Sequence, residues 1–156
     1  MRALRITGAG LAAILAVVLA GCSKQERETV PVACFGPPAE LMGALREAPG
    51  AVALRDGTPL SQCVSRARTD GDLQSLGISF GRVADALRER SPTDIAAALQ
   101  LGYLAGAVRA GARRAPNGLA EQLARRMQQL AMLEPGSRPA AASALARGRR
   151  AGEGRG

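Results

Sequence analysis

The sequence predicts an all-α fold, a small bundle of about four to five helices followed by a disordered basic C-terminal tail. Three observations carry that expectation. Through residues 37–134, apolar side chains recur at steps of three and four along the chain. Proline and glycine cut this region into segments of helix length joined by short connections. Residues 95–108 are apolar around most of a helical circumference, as expected of a helix in the middle of a bundle.

The first helix is expected from Ala39 to Ala48, after Pro37-Pro38. Leu41, Ala44, Leu45 and Ala48 share one face, and Pro49-Gly50 stops it. Ala51 to Leu54 suits a brief strand, and Asp56-Gly57 marks a turn. Thr58 with Pro59 reads as a hydroxyl cap followed by proline in the first helical position. Leu60, Cys63, Val64 and Ala67 then line the inner face of a short helix that Asp70-Gly71 ends. The next helix, Asp72 to Arg90, has the cleanest period, with Leu73, Leu76, Phe80, Val83 and Leu87 on one stripe. Arg82, Asp85, Arg88 and Glu89 fall off that stripe.

Ser91 as cap, Pro92 in the first position and Asp94 in a capping-box-like place open the central helix. From Ile95 to Val108 its only polar side chains are Gln100 and the Tyr103 hydroxyl. Arg113 and Arg114 suit its carboxyl end, where the helix dipole is negative, and Pro116 blocks continuation. Asn117-Gly118 opens a last helix to about Leu133, with Leu119, Leu123, Met127 and Leu130 inward. From Pro135 on, Gly, Pro, Ala, Ser and Arg dominate, and five arginines face one acid, Glu153. Residues 135–156 therefore read as a disordered Arg-rich tail, with a short helix at Ala140 to Ala146 as its one ordered candidate.

The amino-terminal segment has a different character. Arg2 and Arg5 form a short positive head, and no charge follows until after Gly21. The apolar run is shorter than the roughly 20 residues that span a bilayer, and it ends in small residues, the order of a secretory signal. Leu19-Ala20-Gly21-Cys22 resembles the lipobox of bacterial lipoproteins at all four positions. The resemblance implies cleavage between Gly21 and Cys22 and fatty chains on Cys22. Residues 1–21 would be a removed signal peptide, residues 22–36 a tether and residues 37–134 the helical domain. It also implies a place in the bacterial cell envelope, held to a membrane by the N-terminal lipid and facing outside the cytoplasm. Single acyl chains bind membranes marginally, whereas two or more hold stably.

Without residues 1–21 the chain has 135 residues, enough for one domain with a real core. It then carries 19 basic and 13 acidic side chains, and Lys24 is its only lysine. Arginine, alanine and glycine richness follows from GC-rich coding as often as from function, and export argues against nucleic acid as the partner. Aromatic residues are limited to Phe35, Phe80 and Tyr103, so stacking platforms for bases or sugars are nearly absent. There is no histidine, which removes the commonest general base and zinc ligand. With Cys22 carrying lipid, Cys34 and Cys63 remain. In an exported chain they are most simply a disulfide, the alternative being two buried thiols.

Candidate sites are few. Gly102 and Gly106, four apart, mark a face where another helix of the same domain crosses closely. Asp70 and Asp72 suggest calcium, but Ser75 and Gly81 stand where an EF-hand loop needs glycine and glutamate, so a turn and a cap are the better reading. Asp85 and Glu89 lie one turn apart beside Arg82 and Arg88, which reads as a solvated charged face. No phosphate-binding glycine loop, serine elbow or metal cluster is present, and no cofactor or metal is expected. The arginine tail is drawn to anionic lipid or anionic envelope polymer, or is passive. The expectation is a lipid-anchored envelope protein with a non-catalytic binding or structural role. Two alternatives are an envelope hydrolase or transferase using Asp or Glu with Arg, and a carrier whose central helix lines an apolar cavity.

Overall fold

The structure, a computed structural model, describes residues 29–115, 118–133 and 136–156. The leader, the lipobox with Gly21 and Cys22, and the first part of the tether lie outside these residues. So do Pro116, Asn117 and Pro135. Among the described residues the fold is all-α: six helices and two short 3-10 turns, with one isolated bridge between Ala53 and Pro59 in place of a strand.

Order begins earlier than residue 37. Val32–Phe35 forms a 3-10 turn that buries Ala33 and Cys34. Cys34 is joined to Cys63 by a disulfide of 2.07 Å, with the two Cα atoms 5.6 Å apart. The bond closes a loop of sequence separation 29. Restricting the unfolded chain in this way contributes roughly 3.5 kcal/mol on the loop-entropy estimate.

Helix α1 (Pro38–Ala44) continues into a 3-10 turn at Leu45–Glu47, and Leu41 and Leu45 are buried. Asp56-Gly57 turns the chain as expected, with Gly57 at a φ of +82°. The Thr58 amide donates to Asp56 Oδ1. Helix α2 (Leu60–Arg66) starts one residue later than expected. Pro59 occupies the cap position and Thr58 makes no capping bond, contrary to the sequence expectation. Leu60, Cys63 and Val64 are buried in α2, and Ala67 just after it.

Helix α3 runs Asp70–Arg90, so Asp70-Gly71 forms its first turn rather than ending α2. Thr69 and Asp72 close a reciprocal capping box, which outweighs the glycine as a local signal. Leu73, Leu76, Phe80, Val83 and Leu87 are all buried, as the period predicts. At the next junction the caps again fall differently from expectation. The Ser91 hydroxyl donates back to the Leu87 carbonyl and closes α3. Asp94 itself caps α4 (Ile95–Ala112), accepting from the Ala96 and Ala97 amides.

Helix α4 is the axis of the domain, and α2, α3, α5 and α6 all pack on it. Fourteen of its eighteen residues are buried. The one aromatic hydroxyl inside, on Tyr103, accepts the Val52 amide at 3.2 Å. Helix α5 (Gly118–Leu130) buries Ala120, Leu123, Ala124 and Met127. Its inner face is turned from the expected one: Leu119 is 37% exposed and Leu130 only partly buried.

The C-terminal segment corrects the expectation of disorder. Residues Pro139–Arg155 form α6, and α6 lies along α4. Its buried positions are Ala141, Ala144, Gly148 and Gly152. The contact is made by glycines on both helices. A Cβ at Gly102 would strike the Leu145 carbonyl, and one at Gly106 the Arg149 carbonyl. Reciprocally, a Cβ at Gly148 would strike the Leu99 carbonyl, and one at Gly152 the Tyr103 carbonyl. Residue numbers rise together along the contact, so the helices run in the same direction. Such close approach gains dispersion contacts and Cα–H···O contacts that larger side chains would forbid. The close crossing expected at Gly102 and Gly106 is present, and its partner is the segment read as a tail.

Candidate functional site

Docking of α6 on α4 brings two arginine-bearing segments side by side. The C-terminal half of α4 and its exit turn supply Arg109, Arg113 and Arg114. Helix α6 and the residue before it supply Arg138, Arg147, Arg149, Arg150 and Arg155. Against these eight, residues 95–115 and 136–156 contain one acid, Glu153. The other described residues, 29–94 and 118–133, contain nine arginines and nine acids. The described domain therefore splits into a balanced body and a face of net charge +7.

The arginines of this face are exposed side chains on a folded helix rather than on a loose chain. Some are held in place. Arg109 pairs with Glu153 across the two helices at 3.2 Å. Arg155 donates to the Pro49 carbonyl at 3.0 Å. Arg114 donates to the Ser61 hydroxyl, which in turn donates to the Gly156 carbonyl. Arg147, Arg149 and Arg150 stand on the solvent side, because the buried side of α6 is taken by alanine and glycine.

The other candidates come out as follows. Asp72 is held by its cap: the Thr69 hydroxyl and amide and the Arg68 amide keep its carboxyl below the usual range. Asp94 is lowered in the same way, first by the Ala97 amide, then by the Ala96 amide and the nearby Arg90. In Asp56 the Thr58 amide is the main cause. These are backbone-capping roles. Asp85 and Glu89 are both exposed and border, with Arg88 and Pro92, an open depression on the outer surface of α3. Every other described Asp or Glu is at least partly exposed. An open cleft of about 620 Å³ separates α3 from α5, with Ile78 and Leu119 on its walls. Among the described residues no group of three or more Cys, Asp or Glu is placed to hold a metal ion.

Sequence reasoning found the arginines but assigned them no shape. The signal that gives it is the repeat Ala144, Gly148, Gly152 on the segment itself, matched in spacing to Gly102 and Gly106. The geometry defines a disulfide-bonded six-helix domain with a strongly cationic α4–α6 pair. No protein-family model, curated protein or solved structure matches the chain.

Proposed function

We propose that the chain is a lipid-anchored protein of the bacterial envelope, cleaved between Gly21 and Cys22 and held by fatty chains on Cys22. In this reading the helical domain lies outside the cytoplasm and has a binding or structural role rather than a catalytic one. The lipobox, its charged head and its apolar run support the anchor. The Cys34–Cys63 bond supports the compartment, since disulfides persist where the surroundings are oxidising.

The observation that carries the binding role is the unequal division of charge, +7 on the α4–α6 face against zero elsewhere in the described domain. A domain tethered at a bilayer turns such a face toward anionic lipid or anionic envelope polymer. Each arginine near that surface contributes about 1 kcal/mol, screened by salt. Without a histidine in the chain, and without a buried carboxylate among the described residues, acid–base machinery lacks its usual parts.

Two measurements test this. Intact mass spectrometry of the membrane-extracted product should show loss of residues 1–21 and a lipid adduct on Cys22. A retained leader or an unmodified thiol removes the anchor. The soluble domain, residues 29–156, should float with anionic vesicles, release as salt rises, and bind less tightly when Arg147 and Arg150 are changed to Gln. Equal binding to zwitterionic vesicles would remove the charged face from the account.

A further inference from the structure

A second basic feature lies where α2, the exit of α4 and the end of α6 meet. Here a cleft of about 430 Å³ opens between the elements. Ser61, Gln62, Ser65 and Arg66 reach it from α2, Arg68 from the residues just after, and Arg114 from beyond α4. Pro59 and the main-chain oxygen of Gly156 complete the lining, and among the described residues no acidic side chain stands there. The wall is built rather than incidental. Ser61 is 1% exposed, and its hydroxyl accepts from Arg114 Nη2 while donating to the Gly156 carbonyl. That chain of bonds fixes one guanidinium at the rim. Gly111 makes the arrangement possible, since a Cβ there would run into the Ser61 carbonyl and hold α2 away from α4.

We propose that this cleft binds a phosphate group. Planar guanidinium forks match the oxygens of a phosphate in pairs, and the Gln62 amide adds a donor for a remaining oxygen, while the Ser61 and Ser65 hydroxyls give their protons to the Gly156 and Gln62 carbonyls. The volume falls within the range of small-ligand sites. Among the described residues no aromatic side chain lines the cleft, so a nucleotide base finds no stacking partner there and recognition rests on the phosphate itself. The same chemistry is offered by free phosphate and by a phosphomonoester lipid headgroup. The site does not depend on the lipid anchor or on the diffuse charge of α6.

The test uses the full chain and inorganic phosphate as the probe, with chloride at matched ionic strength as the control. Phosphate is expected to raise the melting temperature above the chloride control and to broaden its own phosphorus resonance on adding protein. Arg114→Gln should weaken binding at least tenfold. Because that change also loosens Ser61, Arg68→Gln, an exposed position, serves as the second variant and should weaken it severalfold. Arg82→Gln, an exposed position on α3 away from the cleft, should leave phosphate binding unchanged. A short-chain phosphatidate that binds at least tenfold tighter than inorganic phosphate identifies a lipid headgroup as the source. Equal affinities identify free phosphate. A phosphate effect no larger than that of chloride overturns the site, as does binding by Arg68→Gln and Arg114→Gln at wild-type strength. Either failure leaves the salt-dependent vesicle binding of the α6 face as a separate result.

Discussion

Helices α3 and α6 both pack on α4, and different physics holds each in place. Helix α3 turns a stripe of five large residues inward, Leu73, Leu76, Phe80, Val83 and Leu87. Each such side chain contributes about 1.5–3 kcal/mol through the water it leaves. Helix α6 buries alanine and glycine only, with Leu145 partly covered beside them. Its attachment comes from backbone lying on backbone, through Gly102, Gly106, Gly148 and Gly152. One helix is held by what its side chains fill, the other by what they leave empty. The two should therefore fail under opposite substitutions.

The largest effect is expected on the filled side. Phe80 is 1% exposed and lies between α3 and the disulfide-bonded turn at Cys34. Phe80→Ala removes its contacts and leaves a cavity, for a loss of about 3–5 kcal/mol. The loss should be global, with a lowered urea midpoint and an unchanged slope. Local loosening confined to one helix would mean that α3 is not part of the common core.

The emptied side should break in the reverse direction. Gly148→Leu drives a side chain into the Leu99 carbonyl and the Tyr103 amide of α4. Overpacking of this kind costs about 1–3 kcal/mol or detaches the element. The measurement is limited trypsin digestion. In the wild type Arg147, Arg149 and Arg150 sit in docked helix and should be cut slowly. In Gly148→Leu they should be cut early while amides of α3 remain protected from exchange. Loss of protection in α3 and α6 together would show that both belong to one cooperative unit, and the contrast between them would fail.

The same contrast explains which parts of the fold were legible in the sequence. A stripe of large apolar residues has a period, so α3 and its five inner positions can be read from one segment alone. Helix α6 has no such stripe. Its arginines, glycines and prolines have the composition of a disordered chain, and its order depends on matching glycines on α4, about 45 residues upstream. Gly102 and Gly106 announced a close crossing, but a spacing names no partner. The two cap expectations share a local signal. At Thr58-Pro59 and Ser91-Pro92 the proline suggested a helix start. At the second, Asp94 takes the Ala96 and Ala97 amides and opens α4; at the first, Asp56 accepts the Thr58 amide in the preceding turn and α2 begins without a side-chain cap. In α5 the inner face carries Ala120 and Ala124 beside Leu123 and Met127, small residues that a stripe of large ones does not reveal. The cationic face was legible as charge and illegible as shape, since its arginines are fixed only once α6 docks.

The smallest effect tests whether the N-terminal end of α4 matters to both contacts at once. Asp94 accepts the Ala96 amide at 2.9 Å and the Ala97 amide at 3.1 Å. Asp94→Ala leaves those amides to water and should cost about 1 kcal/mol, felt equally by α3 and α6 because both lean on α4. Asp94→Asn keeps a capping oxygen and removes the charge, so it should cost less at neutral pH. The bonds from Ala97 and Ala96, with Arg90 nearby, hold the Asp94 carboxyl below its usual range. A carboxylate lowered on folding stabilises the fold at pH values above its unfolded pKa and loses that contribution as pH falls through the folded one. The gap between wild type and Asp94→Asn should thus be constant near neutrality and close in acid, below about pH 4. Chemical denaturation of both proteins across that range measures it. A gap that persists unchanged in strong acid would show that the charge on Asp94 has no part in seating α4, leaving geometry alone to begin the helix on which α3 and α6 rest.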